Sequence, residues 1–181
     1  MMVSAKNNFI VSKDEINGAV TLVGEVTFDD LESEPTFTWM RSASGASTYD
    51  ANQLLKIRDL NNFQIKAFIG TWCGDSYELL PAFRSLLQAI AYPLGQLTLF
   101  GMGRDKTLAD GAEKKYAVRR LPTIILFDKS GLERGRIEER VKLSLEDDLM
   151  VILSGSCIGN THRRSTSDRT LKQLVIFHLK D

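Results

Sequence analysis

Trp72-Cys73-Gly74-Asp75-Ser76 decides how this chain is read, because it places a cysteine where a strand gives way to a helix. Residues 63–69, just before it, are apolar and rich in β-formers, which predicts a buried strand. After it, Leu79, Leu80, Phe83, Leu86, Leu87 and Ile90 recur at helical spacing. A thiol at that junction sits at the positive end of a helix, where unpaired backbone N–H groups favour the thiolate. The thiolate is the form that attacks disulfides, so Cys73 is the candidate nucleophile. Asp75 acts in the other direction, since a carboxylate near the sulfur opposes a second negative charge.

Outward from the motif, residues 19–28 are β-rich and 36–40 predict a partner strand, with acidic residues 29–34 as a solvated loop between them. Residues 41–48 are small and polar, as in a linker. Leu54, Leu55, Ile57 and Leu60 predict a helix over 49–60. A strand at 96–102 and a helix over 107–117 follow. Residues 122–127 and 132–137 flank Asp128, Lys129, Ser130 and Gly131, the turn chemistry of a hairpin. Ser144 opens a final helix, with Asp147 as a capping partner and Gly155 as its stop. From residue 63 the order is β-α-β-α-β-β-α, an α/β fold in which a mixed sheet is flanked by helices. The expected organisation is an N-terminal β-rich extension at 1–48, the α/β domain at 49–155 and a tail at 156–181 that fits no motif.

The 181 residues are 43% hydrophobic and 25% charged, which is ordinary for a globular protein able to bury a full core. Net charge is zero, so neither nucleic acid nor an anionic membrane is implied as a partner. The two cysteines, Cys73 and Cys157, make no disulfide framework. His162 and His178 lie far from Cys73, and no metal-ligand spacing appears, so no metal is expected. Residues 1–10 lack the apolar core of a signal peptide, and no run reaches membrane-spanning length. The expected location is cytoplasmic.

Four features in register resemble the thioredoxin superfamily: the strand leading into Trp72-Cys73-Gly74, Pro81 eight residues after the cysteine, Leu121-Pro122-Thr123 opening a later strand, and the hairpin turning at Gly131. A proline within a helix costs about 3 kcal/mol or more, so its placement carries information. The resemblance covers roughly residues 60–154 and implies a thioredoxin-like fold. It also implies a cis peptide before Pro122, beside the active cysteine, and a groove in which Leu121 offers its backbone to an incoming peptide. Residues 70–76, 135–138 and 144–146 resemble more narrowly a group of bacterial thioredoxin-like proteins with little established function.

Two positions depart from that pattern. Ser76 stands where a thioredoxin has its second cysteine, and Ala67 replaces a buried acid. A hydroxyl cannot resolve a mixed disulfide. The implied activity is therefore monothiol (CxxS) thiol–disulfide exchange in redox homeostasis. Cys73 and Ser76 are the catalytic candidates, and Trp72, Gly74, Asp75, Leu121 and Pro122 are the substrate-binding ones. The implied partners are protein or small-molecule thiols and disulfides, with no resident cofactor and with glutathione or another thiol as reductant. The alternative is a non-catalytic thioredoxin-fold module that binds a protein or peptide, so enzyme status stays open.

Several residues carry two readings. Ser76 either hydrogen-bonds the sulfur in place of a resolving thiol or is an early helix residue. Trp72 is either a platform beside the thiol or core packing, and Asp75 either a solvated first-turn acid or a base. Cys157 is a candidate resolving thiol or an incidental one. Its Gly155-Ser156-Cys157-Ile158-Gly159 setting matches a nucleophile elbow, yet a helix rather than a strand precedes it. His162, Arg163 and Arg164 read as a solvated basic patch, and 171–179 as an amphipathic helix or a strand.

Overall fold

The computed structural model describes residues 8–42 and 49–155. The chain opens with a hairpin of β1 (Phe9–Lys13) and β2 (Val20–Val26). Three short helices follow: α1 (Phe28–Ser33), α2 (Thr38–Ser42) and α3 (Ala51–Ile57). The remainder runs β3 (Gln64–Ile69), α4 (Gly74–Ala89), β4 (Leu97–Gly101), α5 (Ala112–Lys115), β5 (Thr123–Phe127), β6 (Glu133–Glu138) and α6 (Leu145–Leu153). The six strands among the described residues form one mixed sheet in the order β1-β2-β4-β3-β5-β6. Among these described strands only β3 and β4 run parallel; the other neighbours are antiparallel.

Alternation along the strands divides the core between the two faces of the sheet. Ile65, Ala67 and Ile69 of β3 pack with Leu99, Ile124 and Leu126 under Leu80, Phe83 and Leu87 of α4 and Leu149 and Ile152 of α6. On the opposite face Phe68 stacks on Phe100 at 4.8 Å between ring centroids, beside Met102, Val118, Leu121 and Ile125. α4 runs sixteen residues with Pro81 buried inside it. Ser144 caps α6 by accepting the Asp147 N–H at 3.1 Å, and Gly155 ends it at φ +71°.

The N-terminal third differs from expectation. The acidic stretch 29–34 lies largely in α1 rather than in a solvated loop, and α2 occupies most of the segment predicted as a strand. The cause is a capping box: Thr27 Oγ1 accepts the Asp30 N–H at 3.1 Å, while the Asp30 carboxylate accepts the Thr27 N–H at 2.8 Å. Phe28 and Leu31 fall three apart and are both buried, as are Phe37 and Met40. Arg41 then closes α2 onto the segment before it, donating to the carbonyls of Glu32, Glu34 and Pro35.

The helix expected over 107–117 shrinks to α5. Gly111 enters it at φ +68°, and the Glu113 carboxylate is spent on the Leu108 N–H at 3.1 Å. The helix expected over 49–60 divides into α3, capped by Asp50, and a 3-10 turn at Arg58–Asn62. β2 pairs with β4, so the hairpin prolongs the main sheet. That pairing depends on a small residue: a Cβ on Gly101 would meet the Leu22 carbonyl oxygen at 2.2 Å.

Candidate active site around Cys73

Because β3 and β4 are parallel, with Ile69 opposite Gly101, the loops after their carboxyl ends emerge side by side. The Met102 N–H donates to the Ile69 carbonyl at 2.9 Å and joins those loops at the root. The first carries the cysteine motif. Cys73 donates its N–H to Gly70 O at 2.9 Å, and its own carbonyl accepts the N–H groups of Ser76 at 3.1 Å and Tyr77 at 3.2 Å. It is thus the N-cap residue of α4, with extended φ −99° and ψ 123°.

The Cys73 side chain is partly exposed, and its thiol donates to the Leu121 carbonyl at 3.7 Å. The Leu121–Pro122 peptide bond is cis. Cys73, Trp72, Asp75 and Leu121 line a cleft of about 190 Å³ together with Lys106, Arg120 and Glu139. A larger hollow of about 320 Å³, lined in part by Lys66, Thr98, Phe100 and Tyr116, contains neither a cysteine nor any residue of the motif.

Each motif side chain has a defined partner. Trp72 is half-buried, donates Nε1–H to Met102 O at 2.9 Å, and carries the Arg104 guanidinium 4.4 Å above its ring. Ser76 is fully buried, and its hydroxyl accepts the Gly70 N–H at 3.2 Å. That bond ties the start of α4 to the end of β3. Gly74 is exposed, with open space where a Cβ would stand. Asp75 accepts from Arg140 Nε at 3.1 Å, an exposed ion pair of the kind worth about 0–1 kcal/mol.

On the far wall, Arg120 pairs with Glu139 at 2.6 Å, and the Glu139 N–H donates to Pro122 O at 2.7 Å. Glu139 adopts φ +66°, uncommon for a residue with a side chain. Cys157, the candidate resolving thiol, lies outside the described residues, as does the tail with His162 and His178.

Sequence reasoning missed the groups that back the motif. Thr71 is fully buried and links the motif loop to β2: its Oγ1 accepts the Leu22 N–H and donates to Val20 O, both at 3.2 Å. Tyr77 donates its phenol to Thr71 O at 2.8 Å; burial first, then the charges of Cys73 and Asp14, push its pKa upward. Asp14, in the β1–β2 turn, accepts from Arg104 Nε at 2.5 Å, and this hydrogen bond is the main reason its carboxyl titrates below the usual range. One signal was available for Arg104: ligand sites of parallel strands form beyond their carboxyl ends, and it lies in the loop after β4. No local signal marked Asp14.

Neither a protein-family model nor a curated protein matches this chain. Among solved structures, a Pseudomonas aeruginosa protein of unknown function is similar at 13% identity, covering 74% of this chain and 88% of that one, with a TM-score of 0.48. Thioredoxin O2 of Arabidopsis thaliana, in its oxidised state, is 21% identical over 57% of this chain and 82% of its own, with a TM-score of 0.36. Fasciola hepatica thioredoxin is 20% identical over 59% of this chain and 94% of its own, with a TM-score of 0.37. The described residues form an α/β fold: a mixed sheet flanked by helices, with a cysteine at the β3–α4 junction and a proline just before β5.

Proposed function

We propose that this chain is a monothiol thioredoxin-like protein that performs thiol–disulfide exchange through Cys73. The reading is of a cytoplasmic redox protein whose partners are thiols and disulfides of proteins or small molecules. One observation carries it: a partly exposed thiol at a helix N-terminus opens onto a cleft that Leu121 also lines.

In the exchange, the Cys73 thiolate attacks one sulfur of a partner disulfide. The new Cys73–S bond forms as the partner's S–S bond breaks, and the second partner sulfur leaves with the electron pair as a thiolate. Ser76 brings no sulfur, and its hydroxyl is engaged with Gly70 N–H, so it serves the geometry of the motif. Release therefore requires an external thiol of the glutathione class, whose thiolate attacks the mixed disulfide and frees Cys73. Trp72 and Leu121 would flank the bound partner.

Incubation with oxidised glutathione, followed by peptide-level mass spectrometry, tests this reading. A single glutathione adduct on Cys73, removed by dithiothreitol, is the expected result, with poor reduction of insulin disulfides. Ser76→Cys should raise that reduction, since it supplies an internal resolving thiol. The absence of both the adduct and the gain would overturn the proposal.

A second reading, a peptide-binding module without redox turnover, draws on Ser76 and on fully buried Ala67 in place of an acid. It predicts that Cys73→Ser leaves client binding intact.

A further inference from the structure

Asp14 is an acid of the β1–β2 turn, yet it is 7% exposed and collects donors: the backbone N–H groups of Ile16 at 3.2 Å and Asn17 at 3.0 Å, then Arg104 at 2.5 Å. The turn holds the carboxylate still, since the Asp14 N–H donates to Ala19 O and its carbonyl accepts the Gly18 N–H, both at 2.8 Å. A fixed carboxylate fixes the guanidinium that it grips, and the guanidinium lies 4.4 Å over the Trp72 ring. The edge of the same indole is pinned to Met102 O. Trp72 precedes Cys73 in the chain and lines the cleft with it.

We infer that Arg104 is a positioning residue of the Cys73 site: Asp14 aims it, it clamps Trp72 against the cleft, and its charge favours anionic partners at the thiol. This rests on the reading of Cys73 as a reactive thiol. The charged residues that line the cleft have partners of their own, as Arg104 has in Asp14. Asp75 pairs with Arg140, and Arg120 with Glu139. Lys106 gives its ammonium to the Arg119 carbonyl at 3.1 Å. The hydrogen bond to Asp14 is the main cause that raises the Arg104 pKa further, with the Cys73 side chain a lesser one.

The test compares alkylation of Cys73 by anionic iodoacetate and neutral iodoacetamide, with peptide-level mass spectrometry separating Cys73 from Cys157. A merely structural role would slow both reagents alike; the charge role changes their ratio. Arg104→Met should lower the iodoacetate-to-iodoacetamide rate ratio by about two- to fivefold, the range for one partly screened charge, and 1 M salt should erase the difference. Arg104→Lys, which keeps the charge, should restore most of the ratio. Arg104→Gln serves if the methionine variant fails to fold. An unchanged ratio in a folded, charge-neutral variant whose Cys73 still reacts would overturn this inference and leave the thiol reading standing. A wild-type Cys73 inert to both reagents would overturn the thiol reading, and this inference with it.

Discussion

The β3–α4 junction and the β1–β2 hairpin both shape the surroundings of Cys73, but they do so by opposite means. The junction is built from neighbours in sequence: Gly70 O accepts from Cys73 N, Cys73 O accepts from Ser76 and Tyr77, and Ser76 Oγ takes the Gly70 N–H. The hairpin reaches the same place through partners far apart in the chain. Arg104 meets Asp14 across ninety positions, and Thr71 meets Val20 across fifty-one. Local chemistry places the thiol, and tertiary pairing furnishes its surroundings.

Variants that separate the two regions sharpen this contrast. The largest effect belongs to the core beneath the junction. Phe83 is fully buried between α4 and the sheet, and Phe83→Ala should cost about 3–5 kcal/mol of stability, measured by urea unfolding. A loss below about 1 kcal/mol would mean that α4 is not seated as described. The hairpin comes next. A Cβ at Gly101 would collide with backbone at Leu22, so Gly101→Ala should cost about 1–3 kcal/mol and speed hydrogen exchange at Leu22 and Val26. Exchange unchanged there would break the claim that β2 closes against β4.

The link between the regions has a pH signature. The Asp14 carboxyl is depressed below its usual value, principally by the hydrogen bond from Arg104. A depressed acid contributes stability that is fully present above its unfolded pKa of about 3.9 and is lost as pH falls through the folded value. Asp14→Asn should therefore be less stable than wild type at pH 7, and the gap should close progressively below about pH 4. A gap independent of pH would show that the carboxylate charge is not what holds Arg104. The smallest effect is on the surface. Asp75→Asn removes an exposed ion pair with Arg140 and should change stability by about 0–1 kcal/mol, less still at high salt.

The site was partly legible in sequence because its framework obeys local rules. The apolar run before Cys73, the helical spacing after it, and the Leu121-Pro122-Thr123 entry to β5 each appear where the residues pointed. The segment 28–42 departs from expectation for a local reason as well: Thr27 and Asp30 form a capping box, so the acids that the composition assigns to a solvated loop open a helix instead. Phe37 and Trp39 alternate like a strand, while the buried pair is Phe37 and Met40, one helical turn apart. Alternation over five residues does not distinguish the two periods.

By itself the sequence determined the strand-to-helix junction, the thiol at its N-cap, and the hairpin that completes the sheet. These follow from helix termini, turn chemistry and hydrophobic period, which act within a few residues. Only the tertiary structure decided that β2 lies against β4, that Thr71 bridges to it, and that Asp14 holds Arg104 over Trp72. Strand neighbours and ion pairs are chosen by burial and close approach between distant segments, and those terms exist only once the sheet has closed.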